Sequence, residues 1–202
     1  MSFRLGKNNK IMMLAITTRS TPVNKELICH AETPSTAVRA VYVEVEQQTQ
    51  GALHLKYELS GDLAQIRIPA PQAPAAVDGL WEHTCFEVFV AVDGEANYHE
   101  FNFSPSGQWA AYAFSDYRVG SVWTVSQAPA ISVAQANGYL LLEAVIADAD
   151  LPQSLAGKPL QLGLTAVIEA NDGSRSYWAL HHPVPRPDFH DRAGFILLLN
   201  PV

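Results

Sequence analysis

Apolar and polar side chains alternate with a period of two along most of this chain, the pattern of strands that bury one face. Val41, Val43 and Val45 point one way while Tyr42, Glu44 and Glu46 point the other. Leu53, Leu55, Tyr57 and Leu59 then alternate with His54, Lys56, Glu58 and Ser60, and Gly51 marks a turn between the two runs, which predicts a hairpin. Ile66 and Ile68 predict a short strand that stops at Pro69. Further strands are expected over residues 84–92, 97–103, 108–114, 122–126, 131–135, 139–147, 160–169, 174–179 and 195–199. Asp93-Gly94, Ser104-Pro105-Ser106-Gly107 and Asn137-Gly138 supply the turn chemistry between several of them. No stretch of useful length repeats with the helical period. Residues 148–155 are expected to form one short helical turn, with Asp148 or Asp150 as its cap.

About twelve short strands without a repeat unit argue for an all-β fold, an antiparallel β-sandwich of the jelly-roll or immunoglobulin-like kind, with a closed barrel as the alternative. The chain has 202 residues, 48% of them hydrophobic and 16% charged, so it can bury a core as one domain. Residues 37–202 are assigned to the sandwich. Residues 1–36 are left as an N-terminal extension, partly disordered or holding a first strand. Residues 1–20 carry basic side chains followed by the apolar run Ile11-Met12-Met13-Leu14-Ala15-Ile16, a weak imitation of a signal peptide with a short apolar core. A true start at Met12 or Met13 fits that stretch equally. The expected location is therefore cytoplasmic, with a periplasmic or secreted one left open, and no segment is long enough to span a membrane. A formal net charge of −7, with no cluster of Lys and Arg, argues against nucleic acid as a partner. Cys29 and Cys85 are too few for a disulfide framework. Cys85, in an apolar strand, is expected to be a buried free thiol, with a Cys29–Cys85 bridge as the alternative.

Within 84–92, Phe86, Val88 and Val90 share one face, and Cys85, Glu87, Phe89 and Ala91 share the other. Glu87 thus lies among apolar neighbours and needs a donor, because burying an unpaired carboxylate costs several kcal/mol. Tyr98, Glu100 and Asn102 share a face of the next strand, and pairing across Asp93-Gly94 would set that polar row beside Glu87. Glu143 is the one acid in a nearly all-apolar strand, and Thr165 and Glu169 share a face of 160–169. Two readings follow. Either one sheet is concave and lined by Glu87, Asn102, Glu143 and Glu169, or these acids pair with Arg118, Arg175 or Arg186 as structural bridges or face solvent. Trp81 follows the Pro-rich loop 70–79 and the Asp78-Gly79 turn, which predicts a place at a rim. An aromatic plate beside a fixed carboxylate is a way to hold a sugar ring or a similar polar disc. Trp109 is expected in the core, and Trp178 stays open between core and site.

The loop 181–193 holds His181, His182, Asp188, His190 and Asp191, but Pro183, Pro185 and Pro187 impose an extended path without the spacing of a zinc site. A loop lending His or Arg donors to a ligand is the reading taken, with no metal and no cofactor expected. Asn171-Asp172-Gly173 predicts a hairpin turn. Residues 104–107 lack the glycines and setting of a nucleophile elbow, and no Gly-rich phosphate loop follows a strand.

The run Trp81-Glu82-His83-Thr84-Cys85-Phe86-Glu87-Val88-Phe89 resembles the Trp-Glu-x-x-x-x-Glu-x-Phe signature of family 9 carbohydrate-binding modules and of the wider DOMON-like superfamily. Tyr98-His99-Glu100-Phe101-Asn102, Gly138-Tyr139-Leu140-Leu141-Leu142-Glu143-Ala144 and Asn171-Asp172 fit the same pattern, and 80–118 with 176–190 is similar to a bacterial group of DOMON-like proteins. The resemblance runs over roughly residues 53–199. It implies a sandwich with a ligand groove and no catalysis, the sugar lying between two tryptophans near a carboxylate and polar donors. Trp81 matches the first tryptophan, Glu87 the carboxylate, and Asn102 a position where those modules often carry Arg. Where the second tryptophan falls, this chain has Phe189 or His190. Other branches bind haem through Met and His, and with only Met1, Met12 and Met13 present that ligation is not expected.

The function expected from all this is a non-catalytic domain that binds a carbohydrate or another sugar-containing small molecule in a groove with an aromatic platform. The candidate ligand-binding residues are Trp81, Glu87, Glu100, Asn102, Glu143, Arg118, Trp178, His181, Phe189 and His190. The alternatives are a glycoside-processing enzyme using Glu87 and Glu100, or a module whose aromatic rim docks a partner protein.

Overall fold

In the computed structural model, which describes residues 21–48, 50–153 and 157–200, the alternating runs become twelve antiparallel strands, with no α-helix among the described residues. They are β1 (Val23–Cys29), β2 (Val38–Gln47), β3 (Leu53–Gly61), β4 (Cys85–Val92), β5 (Tyr98–Phe103), β6 (Trp109–Asp116), β7 (Val119–Val122), β8 (Ala130–Ala136), β9 (Tyr139–Ile146), β10 (Leu160–Glu169), β11 (Arg175–Ala179) and β12 (Leu197–Leu199). The hydrogen-bonded path runs β7-β6-β5-β4-β10-β11-β1-β2-β3-β9-β8, with β12 beside β10. The path is open, so the closed barrel is excluded.

Strand β1 turns this path into two layers. Residues 23–27 pair with β2, whereas Ile28 and Cys29 pair with β11. One layer holds β2, β3, β9 and β8; the other holds β4 to β7 and β10 to β12. Their facing sides form one core, with Val41, Val43, Leu55 and Leu142 from the first layer and Phe86, Val88, Phe101 and Leu164 from the second. Each such side chain taken from water contributes about 1.5–3 kcal/mol. Tyr57 pins the layers together. Fully buried, it donates its hydroxyl to the Glu87 carbonyl at 2.7 Å, and its ring centre lies 5.0 Å from that of Phe86.

The sequence expectations hold for most strands and fail where local chemistry intervenes. The N-terminal stretch contributes β1, in keeping with the option that it holds a first strand. Ile66 and Ile68 form no strand. Asp62 caps a tight turn over Leu63–Gln65 by accepting from the Ala64 N–H, and only Ile66 then makes a single bridge, to Ala170. Strand β7 starts at Val119 instead of residue 122, because Arg118 adopts a left-handed φ of 55° and closes the turn early, a role that no Gly or Asn announced. The turn Asp148–Asp150 has Ala147, not an aspartate, at its N-cap. Asp150 accepts instead from the Ser126 and Gln127 N–H groups at 2.6 and 3.0 Å. Cys29 and Cys85 are both free thiols, and Cys85 is buried. No helix among the described residues is long and apolar enough to cross a membrane. The readings of the export signal and the start codon concern residues 1–20, which lie outside the described residues.

Candidate functional site

The second layer also has an outer face, and its register sets a grid of side chains. Glu87 lies opposite Asn102 on β5 and Thr165 on β10, while Phe89 lies opposite Glu100 and Gly163. Glu100 in turn faces Tyr112 on β6, and Val167 faces Tyr177 on β11. Glu87 and Glu100 are therefore diagonal neighbours, within reach of each other.

The chain between β11 and β12 crosses this face and partly covers it. Gly163 makes the crossing possible: a Cβ there would stand 2.8 Å from Phe195 Cδ1. Phe195 sits in that space against Phe89 and Tyr98, at ring-centre distances of 5.5 and 5.7 Å. Arg192 ties the segment to the Gln161 side chain at 2.6 Å and to the Glu95 carbonyl at 2.7 Å. Asp188 holds Arg118 at 2.8 Å and also the Tyr117 hydroxyl. His182 Nε2 bonds the Ile28 carbonyl at 2.8 Å.

Between sheet and crossing segment lies a cavity of about 610 Å³. Glu87, Phe89 and Glu100 form its floor, and Tyr112, Phe114, Tyr177 and Phe189 its aromatic sides. Trp81, 48% exposed, stands at the rim with Arg118 and Arg186. The Pro-rich loop delivers Trp81. Its Ala75 and Val77 bond the backbone of Trp109 at 3.1 and 2.8 Å, so the loop runs along the start of β6. Gly79 then takes φ 76°, where a side chain would be strained, and leads into the single turn Leu80–Glu82. Asp78 braces this turn by accepting from the Gly79 N–H and the Tyr112 hydroxyl. At its far end His83 bonds Glu169 at 2.8 Å, and Glu169 also pairs with Arg67 at 2.8 Å.

The floor is acidic and its two acids are buried. Glu87 is 2% exposed; its Oε2 accepts from the Thr165 hydroxyl at 3.1 Å, and its Oε1 is buried with no partner among the described residues. Burial, reinforced by the neighbouring Glu100, raises its pKa well above the usual carboxylate range. Glu100, 5% exposed, accepts at Oε1 from Asn102 Nδ2 at 2.7 Å, and its Oε2 lies 3.8 Å from His190 Nε2. Burial pushes it up to about 7, against the opposing pull of Asn102 and Arg118. His190 is held near 4, first by burial and then by the charge of Arg118. The Tyr98 hydroxyl accepts from the Arg118 backbone N–H at 3.2 Å and shares a hydrogen bond with His190 Nδ1 at 2.9 Å.

The structure brings Trp81, Glu87, Glu100, Arg118, Phe189 and His190 to one cavity, with Asn102 behind Glu100 as its donor. It does not bring the other three candidates there. Glu143 lies on β9 in the first layer, opposite Lys56 and 3.7 Å from His54. Trp178 is 6% exposed in the core between the layers, and donates Nε1–H to Ser176. His181 is exposed at the start of the crossing segment, away from the cavity lining. Glu169, the other acid read as a groove residue, is bound by Arg67 and His83, not by the arginines considered from sequence. Tyr177, Tyr112 and Phe114 were missed. Strand parity could have found Tyr177, since a core Trp178 turns its neighbour outward.

No family model matches the chain, and no curated protein matches it in sequence. Among solved structures, a protein of Bacteroides uniformis ATCC 8492, provisionally named a carbohydrate-binding protein, is similar with a TM-score of 0.65. The likeness covers 86% of this chain and 84% of that one at 18% identity, and speaks for the sandwich fold.

Proposed function

We propose that this protein is a non-catalytic binding domain that takes a carbohydrate, or a small molecule containing one, in the cavity between the β11–β12 crossing and the outer face of β4 and β5. The observation that carries the reading is the pair of buried carboxyls, Glu87 and Glu100, that line an open cavity whose rim is a half-exposed tryptophan. A few polar groups converging on a largely apolar cavity are what fix the orientation of a bound small molecule. Trp81 offers an apolar plate to a sugar face, and Phe189 stands in the segment where the family 9 resemblance has a second tryptophan. Glu87 and Glu100 receive hydroxyls, with Asn102 and Thr165 fixing their orientation.

Burial raises both carboxyls, and no arginine bonds either one among the described residues. The DOMON-like resemblance and the provisional name of the structural neighbour point to the same ligand class.

The test is a panel of sugars and sugar-containing metabolites read by thermal shift on the wild type and Trp81→Ala. At least one compound should raise the melting temperature of the wild type, with affinity at least about tenfold weaker in the variant. The reading fails if no compound stabilises the wild type, or if every active compound stabilises both proteins equally.

A further inference from the structure

The floor of the cavity holds two acids and no base. Among the described residues, Glu87 has Thr165 for one oxygen and no partner for the other. Glu100 has Asn102 and, at 3.8 Å, an imidazole kept neutral by burial and by Arg118. Arg118 itself is committed to Asp188 and Tyr117. The remaining titratable groups near the floor bring no positive charge: the Cys85 thiol and the Tyr98 and Tyr112 hydroxyls are all pushed up by burial, and Tyr177 is a phenol. Arg186 stands exposed at the mouth, where water and salt screen it. Around the carboxyls stand ring side chains, Phe89, Tyr112, Phe114, Tyr177 and Phe189, with Trp81 above them. Aromatic faces beside buried acids form a site that attracts a cation, since the rings supply negative faces and the carboxyls supply charge in a low dielectric.

We propose that the cavity binds a protonated amine and that, within the sugar class on which this inference rests, its ligand is an amino sugar whose ammonium sits between Glu87 and Glu100. Acetylation of the amine would remove the charge and leave the floor without its counter-ion. A cation on the floor favours the ionised carboxyl, so binding releases a proton wherever Glu100 is still protonated. For a cation whose own charge does not change with pH, affinity therefore rises with pH through the titration of Glu100 near 7. One released proton amounts to about a tenfold gain between pH 6 and pH 8. A neutral sugar shows no such gain.

Titration calorimetry on the full chain separates the possibilities. The probes are glucosamine, N-acetylglucosamine and glucose, with choline as a cation whose charge does not change with pH. Glucosamine should bind at least about tenfold tighter than either neutral sugar, and choline should gain about tenfold from pH 6 to pH 8. Glu87→Gln and Glu100→Gln keep the side-chain shape while removing the charge. Each should lose the preference for amines while melting no lower than the wild type. Equal binding of amine and neutral sugars, lost in Trp81→Ala, overturns the ammonium site and leaves the sugar reading standing. Choline binding that is lost in the Gln variants, without binding of any sugar, supports the ammonium site and overturns the sugar reading. Binding of none of the probes overturns the ammonium site, and the sugar reading is then decided by the wider panel.

Discussion

Replacing Glu100 by Gln should stabilise the protein at pH 8 and leave it nearly unchanged at pH 4.5. Burial lifts this carboxyl from its ordinary value of 4.5 to about 7. At about 1.4 kcal/mol per pH unit, the folded state favours the protonated form by about 3 kcal/mol. The folded value lies above the unfolded one, so this stabilisation is complete below pH 4.5 and is lost as the pH climbs through 7. Gln has no charge to desolvate, and its amide oxygen can still accept from Asn102. Two neighbours bear on the result. Glu87 is raised in the same direction and holds its proton beside Glu100. His190 works the other way: its folded value near 4 lies below the ordinary 6.5, so its contribution is present above 6.5 and is lost as the pH falls towards 4. His190 is common to wild type and variant, whereas removing the Glu100 charge also relieves Glu87, so the difference between the two proteins reports the acidic pair with Glu100 as its first member to ionise. Urea unfolding at fixed ionic strength, from pH 4.5 to 8.5, measures that difference. It should open from near zero to about 3 kcal/mol, or roughly 6–12 °C in Tm for a chain of this size. Parallel stability curves would mean that Glu100 titrates as an ordinary exposed carboxyl, and the account of a buried acidic floor would be wrong.

Gly163→Ala should cost about 1–3 kcal/mol, because the new Cβ meets the Phe195 ring at 2.8 Å and unseats the segment that roofs the cavity. Urea unfolding, with limited proteolysis between residues 181 and 196, checks it, and a variant as stable and as resistant as the wild type would refute it. Trp178→Ala should cost about 3–5 kcal/mol through the hole left between the layers, whereas Trp81→Ala, at a half-exposed rim, should cost no more than about 1 kcal/mol. Chemical denaturation of the two variants side by side tests this, and similar losses would contradict the assignment of one tryptophan to the core and the other to the rim.

The period-two pattern determined most of the fold before any coordinates. Strand parity put Val41, Leu55, Phe86 and Leu142 on inner faces because a pleated strand has only two sides, and burial selects one of them. The same parity placed Glu87, Phe89 and Glu100 together on the opposite side, and Asp93-Gly94 marked the hairpin that pairs them. Parity within one strand does not say which layer it joins. Glu143 has the same sequence signature as Glu87, an acid in an apolar strand, yet β9 joins the other layer and leaves it beside Lys56. Nor does parity reveal what covers an outer face. Gly163 reads as an unremarkable strand glycine, and only the chain returning through Phe195 shows that its missing side chain makes room for a roof. The spacing of residues along the chain thus decided which side of a strand each one takes. The three-dimensional crossing of distant segments decided which of those sides became a cavity, because enclosure depends on contacts between parts of the chain that local spacing does not encode.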